Sequence, residues 1–364
     1  MNACDACLRR TALLAALAPH IERARRNRRH ISELLALGDD RLLDALAGAR
    51  RAELVRAHGG FDADDARARI ERARLHAACR HDPAYPRRLR HSADAPAVIH
   101  VAGDPAVLAA LADDDAPAVA VVGSRRAGRD ALEVARGLGR GLAAAGVSVV
   151  SGMALGIDSA AHAGALEAGG PTLTVLASGA DVPYPPSKRG LYREIVRTQA
   201  AISEMPPGFA PFRWCFPARN RTIAGLASLT IVVEATERSG SLITAELAQD
   251  LGRAVGAVPG PVTAPRCAGS NALLRDGALV IRHAQDALDE ALGIGVAIAV
   301  AGPVRDGLDA ALLALLRRVE DGCDTVAALA ATPAQAQSAL AGLGELELLG
   351  FLRRAPGGRY VRCT

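Results

Sequence analysis

Aromatic residues are scarce: one Trp, four Tyr and five Phe in 364 residues. A core built on Ala, Leu and Val is expected, so a local concentration of rings carries information. Lysine is almost missing too, Lys188 standing alone among 43 basic residues. Arginine prevalence on that scale follows from a GC-rich genome as readily as from phosphate binding, so arginine by itself argues little. No apolar run approaches the roughly 20 residues that cross a bilayer. The longest, residues 291–302, is short and glycine-rich and reads as a linker. The first ten residues (MNACDACLRR) carry no apolar stretch of signal-peptide type. A cytoplasmic protein without a membrane partner is expected. Seven cysteines, an odd number without framework spacing, exclude a disulfide-stapled scaffold. Cys4 and Cys7 form a C-x-x-C with no second pair to complete a metal site. They read as two reduced thiols in a frayed terminus, with structural zinc or redox work as the alternative.

A large excess of one charge is also missing. The formal net charge is +4, which excludes a histone-like binder; any anion must be held in a focused pocket. What charge there is lies unevenly: residues 1–100 hold 19 Arg against 13 Asp and Glu, whereas 101–300 hold 17 basic and 19 acidic residues. The basic run 21–30 reads as a solvated helix face, or as an auxiliary nucleic-acid contact.

Half of the residues are hydrophobic, ample for two or three domains. Residues 1–84 read as short helices, with Leu34, Leu35, Leu42, Leu43 and Leu46 at helical spacing. From 117 the pattern changes. Apolar runs at 119–122, 147–150, 173–177, 200–203, 230–234 and 255–258 alternate with helical stretches at 129–145, 157–168, 187–199, 219–227 and 241–252. This alternation predicts an α/β fold: a Rossmann-like parallel sheet with helices on both faces, over 85–290. A linker, 291–304, leads to a last unit, 305–364. Three helices and a hairpin around Pro356, Gly357 and Gly358 describe a winged helix. Its third helix carries Glu345 and Glu347 but no Arg or Lys. A protein-contact or regulatory module is therefore expected in preference to a duplex reader.

Parallel sheets bind ligands beyond the carboxyl ends of their strands. The first such loop is Gly123, Ser124, Arg125, Arg126, Ala127, Gly128, ahead of a helix, and reads as an anion cradle. Arg129 and Asp130 stand where a P-loop needs Lys and a hydroxyl, which disfavours an NTPase. The next strand ends in Ser151 and Gly152 with no acid, which disfavours NAD. Gly152 permits close backbone approach. Asp158 and His162, four residues apart, read as a structural pair rather than a catalytic one. Ser239, Gly240 and Ser241 open a helix and offer a second anion site. Glu234 has no evident catalytic partner.

The most informative stretch is 209–221, FAPFRWCFPARNR. Phe209, Phe212, Trp214 and Phe216 are four of the ten aromatics, interleaved with Arg213, Arg219, Asn220 and Arg221. Rings stack bases while guanidinium groups hold phosphates, the chemistry of single-stranded nucleic-acid binding. A hydrophobic plug under a loop is the competing reading.

In order along the chain, the stretches AVAVVGSRRAG, VVSGMALGIDSAAHAGALEAGG, TVLASGADVPYPPSKRGL, ISEMPPG, FPARNRTIAGLA, VVEATERSGSLITAELA, GRAVGAVPG and GSNALLRDGA resemble the DprA/Smf (DNA-processing protein A) family of bacteria. The resemblance is close over roughly 80–285 and holds only in outline for the N-terminal helices (SAM-like in the family) and the winged helix. It implies a cytoplasmic, non-enzymatic homodimer that binds single-stranded DNA and loads the RecA recombinase onto it, as in natural transformation. Displacement of single-strand-binding protein is also implied, without cofactor or metal. Carried over residue by residue, the site is Ser124 and Arg125 after the first strand, then Phe216, Arg219, Asn220 and Arg221, with Arg213 upstream and Phe216 as the stacking ring. Trp214 is not a motif position. Ala272 follows Asn271 where the family commonly has a basic residue, so one auxiliary contact is expected to be missing. The rival reading is a Rossmann-type nucleotide enzyme of the nucleoside monophosphate phosphoribohydrolase kind, whose P-G-G-x-G-T motif is not found here.

Overall fold

The computed structural model describes residues 2–24, 28–293, 308–330, 332–349, 351–355 and 357–362. It falls into two compact units, 1–296 and 297–364. In the first, nine strands form one sheet: β1 (His76–Cys79), β2 (Val98–Gly103), β3 (Ala118–Val122), β4 (Ser148–Ser151), β5 (Thr172–Val175), β6 (Ala200–Ser203), β7 (Leu229–Val232), β8 (Ala254–Ala257) and β9 (Leu279–Val280). Their spatial order is β1-β2-β6-β5-β4-β3-β7-β8-β9. Strands β3 to β9 pair in parallel, with Val119 opposite Val149 on one side and Leu229 on the other. The pairs β1–β2 and β2–β6 are antiparallel.

Six strands fall where the apolar runs predict them. All five residues of β3 are buried, as a strand covered on both faces requires. β1 and β2 escape the sequence reading because they pair antiparallel and are followed by helices of only four and five residues, Arg87–Arg90 and Pro105–Ala109; β9, with two residues, escapes it too. β1 also lies within the residues assigned by sequence to the N-terminal helical region.

Helices Arg129–Ala144, Ile157–Glu167, Arg189–Thr198 and Gly240–Asp250 occupy their expected places. Helix Cys215–Leu226 begins four residues before its expected start, which puts the whole F-P-x-R-N-R motif on a helix. The N-terminal helices Asp5–Ala24 and Asp39–Leu46 bury Leu17, Ala18, Ile21, Leu42 and Leu43 against Trp214, Cys215 and Ala218. No helix among the described residues is long and apolar enough to cross a membrane.

The chain leaves β3 in one direction through β4, β5 and β6, then returns to the other side of β3 as β7. The carboxyl ends of β3 and β7 therefore flank the topological switch point, where open α/β sheets leave a crevice.

In the second unit, helices Ala310–Glu320, Val326–Leu329 and Pro333–Leu348 precede an antiparallel hairpin, β10 (Leu352–Ala355) and β11 (Arg359–Arg362). Asp309, Thr325 and Thr332 cap the three helices by accepting from Leu312, Ala328 and Gln335 N–H. Leu316, Leu343, Leu346 and Leu352 form its core. Most of the expected linker, from 294 onward, lies outside the described residues.

Candidate functional site

A cavity of about 580 Å³ opens at the switch point. It is lined from the loop after β3 by Gly123, Ser124, Arg125 and Arg126, and from the start of helix Gly240–Asp250 by Ser239, Gly240 and Ser241. Phe216, Arg219 and Asn220 line it from helix Cys215–Leu226. Nine of the twelve residues singled out from the sequence thus meet in one place; Gly152, Arg213 and Arg221 do not line it.

Helical geometry explains the exclusion of Arg221. At about 100° per residue, Phe216, Arg219, Asn220 and Ile223 share a face, whereas Arg221 sits about 140° round from Phe216. Arg221 is 6% exposed and faces Glu204 and, at 3.4 Å, Asp94. It is therefore an internal ion-pair residue, unlike the phosphate contact expected from sequence. Burial holds the Glu204 carboxyl above its ordinary range, and Arg221 partly offsets that. Arg213 is exposed in the turn ahead of the helix.

Arg219 is also 6% exposed. Its Nη1 donates to the Val175 carbonyl at 3.1 Å. Burial lowers its pKa to about 10, Asp158 opposes that shift and Arg125 adds to it. The guanidinium thus stays charged at neutral pH, fixed in the cavity wall. Gly152 makes this possible: a Cβ there would lie 1.2 Å from Arg219 Nη1. Asp158 accepts from Gly152 N–H at 3.1 Å and Ala154 N–H at 3.4 Å. Its carboxyl is pushed up by burial and pulled back by Arg219.

His162 does not pair with Asp158. Its Nδ1 lies 2.8 Å from Thr172 Oγ1, which donates to the Val149 carbonyl. Nδ1 must therefore donate, fixing a neutral tautomer, and burial depresses the imidazole to about 3. Both residues are held by structural bonds, but to other partners, so the pair expected from their spacing is not formed.

Three of the amides that the sequence offers as a cradle in the loop after β3 are engaged within the protein. Ser124 N–H donates to the Glu234 carbonyl at 2.7 Å, Arg126 N–H to Ser124 Oγ at 3.1 Å, and Gly128 N–H to Glu234 Oε2 at 3.3 Å. These three donors hold the loop in shape and face no ligand. Glu234 also pairs with Arg266 at 3.2 Å, so its carboxylate serves as the loop's anchor. The side chains of Arg125 and Arg126, by contrast, are exposed. Gly156, at φ +80°, lets the neighbouring turn close against this loop: a Cβ there would meet the Ser124 carbonyl at 2.1 Å. A Cβ at Gly123 would lie 2.6 Å from Ile157 Cγ1.

The aromatic cluster divides. Trp214 is fully buried, its Nε1 donating to the Ala18 carbonyl at 3.1 Å and its backbone N–H to Glu22 at 3.0 Å. Phe209 and Phe212 pack beside it. These three form the plug. Phe216 alone of the four lines the cavity, half-buried, with the Arg125 guanidinium carbon 5.6 Å from its ring centroid. The ring of Tyr184 stands 5.4 Å away at 56°. Arg126 entered the sequence reading only as a member of this loop, and Tyr184 was passed over. One adjoins Arg125 in the same loop and the other is one of four tyrosines in the chain.

At the start of helix Gly240–Asp250, Ser239 caps the helix by accepting from Ser241 N–H at 3.3 Å, and Asn220 Nδ2 donates to the Gly240 carbonyl at 3.4 Å. Asn271 bonds both backbone groups of Gly260 at 3.1 Å, away from the cavity lining.

The family described as DNA recombination-mediator protein A matches residues 76–292, more than half of the chain. The chain belongs to that family. Among its relatives, DprA of Streptococcus pneumoniae is 41% identical over 209 residues, 57% of this chain and 72% of the other. Smf of Escherichia coli is 35% identical over 289 residues, 76% and 75% of the two chains. A DprA-named protein of Mycobacterium tuberculosis is 47% identical over 178 residues, but only 46% of its length is matched, about half. The solved structure of S. pneumoniae DprA superimposes with a TM-score of 0.62 at 32% identity, covering 79% of this chain and 96% of that one. The matched family region contains every cavity-lining residue named above.

Proposed function

We propose that the cavity holds single-stranded DNA and that the protein acts as a recombination mediator, presenting the strand to a RecA-type recombinase in the cytoplasm. The observation that carries this reading is the pairing of Phe216 with Arg125 at the cavity wall. A half-exposed ring beside a guanidinium suits a base stacked over one and a phosphate held by the other. Arg126 extends the cationic side, and the start of helix Gly240–Asp250 adds a positive dipole end. Arg219 contributes fixed charge from within the wall. The two buried acids at the site, Asp158 and Glu234, are engaged with backbone N–H groups, which favours a binding role over acid–base catalysis.

Two such sites in a homodimer would raise avidity for any strand long enough to reach both. A strand held extended and unpaired could then be handed to a recombinase filament, with single-strand-binding protein displaced.

The test is fluorescence anisotropy of a labelled oligo-dT titrated with the full chain at two salt concentrations, with duplex DNA and nucleoside monophosphates as competitors. Tight binding, poorly competed by duplex, is expected, with log K falling by about 0.7 per phosphate contacted for each decade of salt. Competition or turnover by mononucleotides without strand binding would replace this reading with the nucleotide-enzyme one. A RecA-loading assay follows the first outcome.

A further inference from the structure

Far along the chain from the cavity-lining loops, four soft ligands converge. Cys4 lies just ahead of helix Asp5–Ala24 and Cys7 in its first turn; Cys79 ends β1 and His81 follows in the next turn. Their ligating atoms all lie within 4.8 Å of one another. His81 Nδ1 is 3.4 Å from Cys4 Sγ, 3.5 Å from Cys7 Sγ and 3.9 Å from Cys79 Sγ.

Hydrogen bonding does not account for this arrangement. An imidazole nitrogen has one lone pair and can accept from one thiol, yet three sulfurs surround it. A Cys4–Cys7 disulfide would leave Cys79 and His81 without a purpose in the cluster, and all three cysteines are free. Tetrahedral coordination does account for it. With Zn–S of about 2.3 Å and Zn–N of about 2.0 Å, the sulfur-to-nitrogen edge of a tetrahedron is about 3.5 Å. The three observed separations bracket that value.

We propose that Cys4, Cys7, Cys79 and His81 Nδ1 bind one zinc ion in a structural Cys3His site. Three thiolates and one imidazole suit zinc, and four protein ligands leave no open position for catalysis. The metal would tie the start of the N-terminal helix to β1, the antiparallel edge strand of the sheet. The surroundings already join these segments: Asn2 N–H donates to Asp82, and Ala3, Cys7 and Leu8 pack with Ala77, Cys79 and Val98. This revises two expectations from sequence, a frayed terminus and a protein without metal. The missing half of the site is a C-x-H some 70 residues downstream, too short a pattern to announce itself.

The test uses the untagged full chain, purified without chelators and assayed for zinc by mass spectrometry of the elements. One zinc per chain is expected, released when a mercurial blocks the thiols. Cobalt substitution should give the charge-transfer and d–d absorption of a tetrahedral thiolate site, with the charge-transfer band about a third weaker in Cys4→Ser. Cys7 and Cys79 are buried, so their variants risk misfolding. Cys4→Ser and the exposed His81→Ala test the ligands instead, each expected to lower zinc occupancy at least tenfold after dialysis against a mild chelator. Wild-type protein without zinc and with freely reactive thiols would overturn the proposal. So would an intact mass showing a disulfide, or full zinc retention in both variants.

Discussion

The loop after β3 and the helix Cys215–Leu226 both bring arginines toward the same cavity, and they use them in opposite ways. In the loop, Arg125 and Arg126 are exposed, while the backbone amides around them are tied to Glu234 and Ser124. In the helix, Arg219 and Arg221 are buried and held by Val175, Asp158, Glu204 and Asp94. One region leaves its charge exposed and the other places it in the scaffold. Residue type is the same in both; burial and partners decide the role. Stability and strand affinity should therefore respond separately to substitution in the two regions.

The largest separation is expected for Arg221→Ala. It leaves Glu204 and Asp94 facing a cavity without their cation, at a cost of about 3–5 kcal/mol. Urea denaturation should show that loss, while the fraction that remains folded binds oligo-dT as wild type does. Weakened binding at unchanged stability would return Arg221 to the interface. Arg219→Ala is expected to fall between the regions, losing stability through Asp158 and affinity through the lost charge.

Phe216→Ala comes next. Removing a stacking ring costs about 1–3 kcal/mol in affinity per base. The ring is half-buried, so some stability is lost as well, and Phe216→Tyr should restore both. Equal affinity in Phe216→Ala and wild type would show that bases stack elsewhere, with Tyr184 the first alternative.

Much of this division lay beyond the sequence. The strand–helix alternation was legible because the central strands are short runs rich in Val, Leu, Ile and Ala, buried along their whole length. Parallel topology put the loops after the strands at one edge of the sheet, but that β3 and β7 are neighbours there comes from the strand order. The antiparallel edge was not legible: β1 has four residues, and the helices after β1 and β2, Arg87–Arg90 and Pro105–Ala109, have only four and five. Arg125 and Arg221 were indistinguishable as letters. Their separation depends on helix Cys215–Leu226 starting early enough to carry Phe216, and on Glu204, which lies 17 residues from its partner. Trp214 misled for a related reason: its partner Ala18 is 196 residues away.

Titration probes the buried interior beyond that helix, which holds His100 on β2 and His162 on helix Ile157–Glu167. Burial holds His162 at about 3 and His100 at about 4 in the folded chain, below the ordinary 6.5. Between those values the unfolded chain binds more protons, so stability is lost as pH falls from about 6.5 toward 3. Asp158 and Glu204, raised by burial, act in the opposite sense, since within their window the folded chain takes up the proton more readily. The histidine effect is therefore read as a difference. Relative to His162→Asn, wild type should lose about 1.4 kcal/mol for each pH unit below about 6. Parallel stability curves for the two proteins would place the His162 proton elsewhere.

The smallest expected effect lies in the exposed loop and is the most specific. Arg125→Ala leaves no buried partner uncompensated, so its unfolding midpoint should match that of wild type. Its affinity for oligo-dT should fall modestly, and by the same factor for other single-stranded sequences, because a phosphate contact carries no base information. The salt dependence should become shallower by about 0.7 per decade, the signature of one released counterion. Arg126→Ala should repeat this, and the double variant should lose both increments if the two guanidinium groups hold different phosphates. A single increment in the double variant would mean that they share one, and that the strand crosses the loop instead of following it.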